Sequence, residues 1–247
     1  NRVAIVTGAA QGIGAAYAKA MAAEGASVVV ADRDDGQQVV DQIIKGGGTA
    51  LNIVTDVSDE TSCKAMAAQT IDAFGRIDIL VNNAALFGHL DAKPFEEISV
   101  DEWDALMAVN VRGVFVAIKS VTGQMRKQQY GKIINIASGT LFKGTPMLLH
   151  YVTSKGAVLA MTRCISREVG DDNICVNTLA PGLVMSENVL ARDTFSDAGV
   201  DANTETRALK RRQMPEDLTG AMIFLASADS DFMTGQCVVV DGGSVNN

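Results

Sequence analysis

A glycine-rich turn between an apolar strand and an amphipathic helix constrains this chain more than any other feature. Val3-Ala4-Ile5-Val6 is a short apolar run of buried-strand type. It meets Thr7-Gly8-Ala9-Ala10-Gln11-Gly12-Ile13-Gly14, and the run AAYAKAMAAEG follows. In that context Gly8 permits the tight turn and Gly12 lets backbone N–H groups approach a pyrophosphate. Gly14 lets the helix pack closely. The spacing is GxxxGxG rather than GxGxxG. By itself such a turn is either a tight connection or a phosphate site. The next strand, Ser27-Val28-Val29-Val30-Ala31, ends in Asp32, roughly 18 residues past Gly14. A carboxylate there can accept the hydroxyls of an adenosine ribose, which favours the phosphate site.

The rhythm continues along the chain. Strands are expected near 3–7, 27–32, 50–55, 78–82, 131–137, 174–179 and 236–241. Helices are expected near 12–24, 34–45, 59–74, 101–128, 150–169 and 215–227. Such alternation predicts an α/β fold: a doubly wound parallel sheet with helices on both faces. With 247 residues and 47% hydrophobic content, a single domain spanning 1–247 can bury a large core. One stretch breaks the rhythm. Residues 185–214 are polar with few large apolar side chains. They read as a substrate lid beside the site or as a surface excursion.

A net charge of −8 argues against nucleic acid or an anionic membrane as partner. No apolar run is expected to reach transmembrane length. Cys63, Cys164, Cys175 and Cys237 have neither metal-site nor disulfide-framework spacing, so they read as reduced thiols of a cytoplasmic protein. With two histidines and no HExxH or CxxC pattern, no metal is expected. Asn1 stands almost on the first strand, so a few residues are expected to precede it.

The candidate reaction centre lies in the second half. Tyr151 and Lys155 are four residues apart in HYVTSKGAVLAMTR, on one face of a helix. A free phenol is a poor base at neutral pH, and a nearby ammonium favours its ionised form. Lys155 is therefore expected to lower the Tyr151 pKa. Ser138 ends the apolar run KIINIA, where strands of such a sheet open onto ligand. The charge of Asp32 would repel a ribose 2′-phosphate, so NAD is expected over NADP. Arg33 opposes this, since a guanidinium could pair with that phosphate. Gln11 places no positive charge in the turn.

At these positions the chain resembles the short-chain dehydrogenase/reductase family, over essentially its whole length. The matching residues are the Thr7–Gly14 turn, Asp56-Val57, Asn82-Asn83-Ala84, Asn110, Ser138, Tyr151, Lys155, Pro181-Gly182, and Thr234-Gly235-Gln236 with Asp241-Gly242-Gly243. Ala85 replaces the family's usual glycine, and Ser186 its usual threonine. The resemblance implies a single-domain Rossmann fold and an NAD-dependent alcohol dehydrogenase or carbonyl reductase. It implies a catalytic set of Asn110, Ser138, Tyr151 and Lys155. Tyr151 would be the general acid and base, Ser138 the oxyanion donor, and Lys155 would also hold the nicotinamide ribose. Asn110 would kink its helix through a water that relays protons. Cofactor contacts are implied for Gly8, Gln11, Gly12, Ile13, Gly14, Asp32, Arg33, Asp56, Val57, Asn83, Ala84, Pro181, Gly182, Val184 and Ser186. Asp56 would bind adenine, unless it is only a turn carboxylate.

By the same resemblance Phe87, Thr140, Leu141, Phe142, Leu148, His150, Leu183 and Val184 line a largely apolar pocket. A small-molecule alcohol or carbonyl bearing a ring or alkyl group fits such a pocket. His150 either bonds that substrate or turns away from Tyr151. An inward-facing Arg192, Arg207 or Lys210 would instead favour a polyol, sugar or hydroxy acid. A non-catalytic nucleotide-binding protein is the remaining alternative. Apolar residues beyond one core stripe (Val111, Val114, Phe115 and Ile118; Val158, Leu159, Met161 and Ile165) imply partner helices. The resemblance implies that these helices pair across a two-fold axis and that a second contact through strand 236–241 makes a homotetramer; the alternative is that the lid and neighbouring helices of one chain cover the excess.

Overall fold

The computed structural model describes residues 2–88, 90–190 and 197–245. The first half runs β1 (Val3–Thr7), α1 (Gly12–Ala23), β2 (Ser27–Asp32), α2 (Gln37–Lys45), β3 (Thr49–Val54), α3 (Glu60–Phe74) and β4 (Ile79–Asn82). Next come α4 (Val100–Met107), α5 (Val114–Gln128), β5 (Gly131–Ile136), α6 (Thr140–Lys143) and α7 (Leu149–Glu168). The chain closes with β6 (Ile174–Pro181), α8 (Glu187–Leu190), α9 (Asp197–Glu205), α10 (Glu216–Ala226) and β7 (Cys237–Val240).

The strands form one sheet in the order β3-β2-β1-β4-β5-β6-β7, and every pairing is parallel. The order reverses between β1 and β4. A ligand crevice is expected there, at the carboxyl ends of the strands. β1, β4, β5 and β6 are buried throughout, as strands covered on both faces must be. One apolar cluster joins α1, α2 and α10 to one face of the sheet. A second joins α3, α5 and α7 to the other. This is the doubly wound Rossmann arrangement.

Most element ends shift by a residue or two. The helix expected at 34–45 begins at Gln37, because Asp35 accepts the Gln37 N–H and the Asn52 amide in a turn. The helix expected at 101–128 is divided by a π-helical turn over Ala108–Gly113. As one continuous run, Val100–Gln128 is long and apolar enough to cross a bilayer, contrary to the sequence reading. Val114, Ala117, Ile118, Val121 and Met125 of that run are buried against the sheet, as in a core helix. The last strand is Cys237–Val240, shorter than expected.

A buried polar ladder fixes α7 on the sheet. The Asn82 amide donates to Asn135 Oδ1 at 2.8 Å, and the Asn135 amide to Thr162 Oγ1 at 2.9 Å. The Thr178 hydroxyl donates to Thr162 Oγ1 at 2.8 Å, and Thr162 donates to the Val158 carbonyl. The ladder ties β4, β5 and β6 to the helix that carries Tyr151 and Lys155. Each member has a partner, as buried polar groups require.

Candidate active site

A cleft of about 510 Å³ opens along the carboxyl ends of β1, β4, β5 and β6. One end is formed by the glycine-rich turn. Gly8 and Gly12 have φ of +64° and +58°, which favour glycine. A Cβ on Gly14 would lie 2.1 Å from the Gly8 carbonyl oxygen, so α1 packs on the turn only because that position is bare. Asn83 clasps the turn: its amide donates to the carbonyls of Thr7 and Gly8 at 3.0 and 2.9 Å. Thr7 Oγ1 accepts the backbone N–H groups of Asn83 and Ala84. The first turn of α1 contains no acidic residue, so its N–H groups face the cleft uncompensated.

Asp32 ends β2 on the cleft wall. Its Oδ2 accepts the Ala10 N–H at 2.9 Å and its Oδ1 the Asp34 N–H at 3.1 Å. That leaves the carboxylate oriented with lone pairs free for ribose hydroxyls. Arg33, Asp56 and Val57 line the same end. Asp56 accepts the Ser58 hydroxyl and N–H, which hold its pKa below the usual carboxylate value. It is thus a turn carboxylate and a wall residue at once; the cap of α3 is Asp59. These features fit a dinucleotide: a donor-rich glycine cradle beside an oriented carboxylate.

Ser138, Tyr151 and Lys155 share the wall beyond the turn. Thr140 donates its N–H and hydroxyl to Ser138 Oγ at 3.3 and 3.0 Å. The rings of Tyr151 and Phe87 lie 4.7 Å apart at 40°. The Lys155 ammonium donates to the Ile136 carbonyl at 2.8 Å and sits 5.7 Å from the Tyr151 ring centre. Burial pushes Tyr151 up to about 12, with the Ser138 hydroxyl pulling the other way. Burial brings Lys155 down to about 8. The expected lowering of Tyr151 by Lys155 is therefore not what this arrangement gives. The ammonium is directed at a carbonyl, and loss of hydration outweighs its attraction.

Gly8, Gln11, Gly12, Ile13, Gly14, Asn83, Ala84, Pro181, Gly182, Val184 and Ser186 also line the cleft, as do Phe87, Thr140, Leu148 and Leu183. Four named residues are not on the wall. Asn110 lies behind it, fully buried in the π-helical turn. Its Oδ1 accepts the Leu86 N–H at 2.7 Å, and its amide donates to the Leu86 carbonyl and Ser154 Oγ. Leu141 and Phe142 sit on the outer side of α6, whose residues 140 and 143 face in, as helical spacing dictates. His150 is fully buried and turned to α4, with Nε2 3.4 Å from Glu102 Oε1.

Sequence reasoning placed none of Lys143, Asn203, Asp241 or Ser244 on the wall, though all line the cleft. Of the three cations tested for inward placement, Arg207 lines the cleft and is buried. Lys210 points out to Glu205, and Arg192 lies outside the described residues. The signal that could have found Asp241 was its place just past the last strand, where such a sheet opens onto ligand.

A family model described as Enoyl-(Acyl carrier protein) reductase matches residues 8–245. An uncharacterized oxidoreductase of Mycobacterium tuberculosis is 42% identical, covering 99% of this chain and 98% of its own. A short-chain dehydrogenase/reductase of Hericium erinaceus is 36% identical, covering 99% and 98%. A solved structure from Beutenbergia cavernae superposes with a TM-score of 0.91 at 36% identity, covering 99% of this chain and 96% of its own. It is described as a candidate NAD(P)-dependent gluconate 5-dehydrogenase with NADP bound at low occupancy. Fold, cleft and relatives agree: the chain is an oxidoreductase with an NAD(P)-binding fold, and it belongs to the short-chain dehydrogenase/reductase family.

Proposed function

We propose that this protein interconverts an alcohol and its carbonyl by hydride transfer to or from NAD, within one dinucleotide-binding and catalytic domain. The observation that carries the reading is the placement of Ser138, Tyr151 and Lys155 on one cleft wall with the glycine-rich turn and Asp32. The dinucleotide, when bound, supplies the hydride acceptor or donor. Tyr151 takes the hydroxyl proton in oxidation and returns it in reduction. Ser138 donates to the substrate oxygen as negative charge develops there. Lys155, its ammonium held by the Ile136 carbonyl, would hold the nicotinamide ribose beside Tyr151. Asn110 positions the wall by holding the Leu86 backbone behind Phe87. Residues 185–214 act as the cover, since Val189, Gly199 and Asn203 of that stretch line the cleft.

NAD is the preferred cofactor because Asp32 faces the ribose position and a carboxylate there repels a 2′-phosphate. The relative solved with NADP makes this the point to test first. We expect kcat/KM to favour NAD, and Asp32→Ala to shrink the preference by about ten- to a hundredfold, the scale of a charge-assisted hydrogen bond. A wild-type preference for NADP, measured by nicotinamide absorbance, would assign the choice to Arg33. The wall near Phe87, Leu148 and Leu183 suits an apolar alcohol. The inward Arg207 favours a second substrate reading, an acid-bearing alcohol.

A further inference from the structure

The cleft is electrically divided. Asp32, Asp34 and Asp56, with Arg33 among them, line the end by the glycine-rich turn, and Lys143 and Arg207, with Asp241, line the end by residues 199–207. Arg207 is 3% exposed, yet no carboxylate lies within 4.0 Å of it among the described residues. Of its five N–H donors, three meet neutral acceptors: the carbonyls of Arg211 and Leu183, at 2.8 and 2.7 Å, and Asn203 Oδ1, at 3.1 Å. Its Nε has no partner. A buried charge ordinarily has an ionic partner. This chain has 29 acidic residues against 21 basic ones, so a shortage of acids does not explain the gap. Lys143, which is exposed, also lacks a carboxylate partner among the described residues. Its ammonium donates to the hydroxyls of Thr206 and Ser244.

One further orphan stands on the same wall. Asp241 is 3% exposed, and its Oδ1 accepts the N–H groups of Gly243 and Ser244, both at 3.0 Å. Its Oδ2 has no partner. A cationic donor and an anionic acceptor thus lie unsatisfied in one cleft, near the reaction centre.

We propose that this end of the cleft is a carboxylate-recognising subsite, in which Arg207 and Lys143 bind the acid group and Asp241 accepts a hydroxyl. The substrate is then a hydroxy acid or its keto-acid product. The inference rests on the dehydrogenase reading above and names the substrate class of that same site. A neutral alcohol would leave the guanidinium as it is, whereas a carboxylate supplies the missing partner. The competing arrangement is that Arg207 and Asp241 neutralise each other through space and serve folding alone.

The test is calorimetric titration of the NADH-saturated protein with matched probes. Mandelate is compared with 1-phenylethane-1,2-diol, and gluconate with glucitol; each pair exchanges only a carboxylate for a primary alcohol. The acid should bind about ten- to a hundredfold more tightly in at least one pair, the scale of charge-assisted pairing. That preference should weaken with added salt. Arg207→Met and Lys143→Met should each bring the acid-to-neutral ratio toward one. Should Arg207→Met fail to fold, the exposed Lys143 decides. Equal binding of acid and neutral probe in both pairs, or a ratio unchanged in the variants, overturns the subsite. Acid binding that persists unchanged while the protein binds neither NADH nor NADPH would instead overturn the dehydrogenase reading and leave the subsite standing.

Discussion

Tyr151 and Lys155 are both enclosed, and enclosure moves their protons in opposite directions. Lys155 falls from 10.5 to about 8, so between those values the unfolded chain holds a proton that the folded chain does not. Stability contributed by this group rises with pH through that window. Tyr151 rises from 10.0 to about 12, so its contribution falls with pH between those values. Lys155→Met removes the first term. The variant's stability relative to wild type should therefore drop by on the order of 3 kcal/mol between pH 7.5 and 10.5, by linkage alone. Chemical denaturation across that range checks it, and a gap that does not change with pH would show Lys155 to be solvated. Tyr151→Phe keeps the ring against Phe87 and removes the proton. Turnover should fall by about two to four orders of magnitude with dinucleotide affinity within a few-fold; near-normal turnover would remove Tyr151 from the mechanism. The presence of Tyr151, Lys155 and Ser138 in one cleft was legible from the sequence, because helical spacing and a strand end fix them locally. Their proton affinities were not. Those depend on burial and on the Ile136 carbonyl, which only the packing of α7 on β5 creates.

At the level of elements, the glycine-rich turn separates two kinds of glycine. A Cβ on Gly14 meets the Gly8 carbonyl oxygen and the Asn83 amide, both well inside contact distance, so backbone would have to move. A Cβ on Gly12 meets only the Ser186 Cβ at an ordinary 3.6 Å, and the cost is its φ of +58°. Gly14→Ala should therefore displace α1 and abolish nucleotide binding. Gly12→Ala should keep the fold, losing about 1 kcal/mol. Thermal melts with NADH titrations distinguish the two, and equal damage would show that φ rather than space governs the turn. Strands and long helices were legible because apolar runs and turn residues mark them. The π-helical turn was not, since Ala108–Gly113 continues the helical pattern. What widens it is a long-range partner, the Leu86 backbone, which satisfies both ends of the Asn110 amide. Nor could the sequence separate Thr140 and Lys143 from Leu141 and Phe142, because a single helical turn gives no periodicity to read.

Across the whole molecule, part of the apolar excess expected to meet partner chains is consumed within one chain. Val114, Ile118, Val158 and Leu159 are buried. What stays outside is narrower: Phe115, 48% exposed, beside Met107, Val111 and Met161 around a shallow depression. β7 is one of the two edge strands of the sheet and only half-buried. We expect these two surfaces to assemble the chain, with Phe115→Glu reducing the mass seen by light scattering coupled to gel filtration. A wild-type mass near 26 kDa, that of one chain, would contradict this. The segment proposed as the cover has both ends at a single junction. It leaves the sheet after β6 and returns to the same point, where Val184 bridges Gln213 and the Met185 N–H meets the Gln213 carbonyl at 2.8 Å. Gln213 in turn donates to the Val240 carbonyl, so the junction is fastened to the last strand. A detour whose ends are already joined can be exchanged without disturbing the frame that bears the hydride chemistry. One contiguous stretch of chain, exchanged as a unit, would then be enough to direct the proposed reaction to a new molecule.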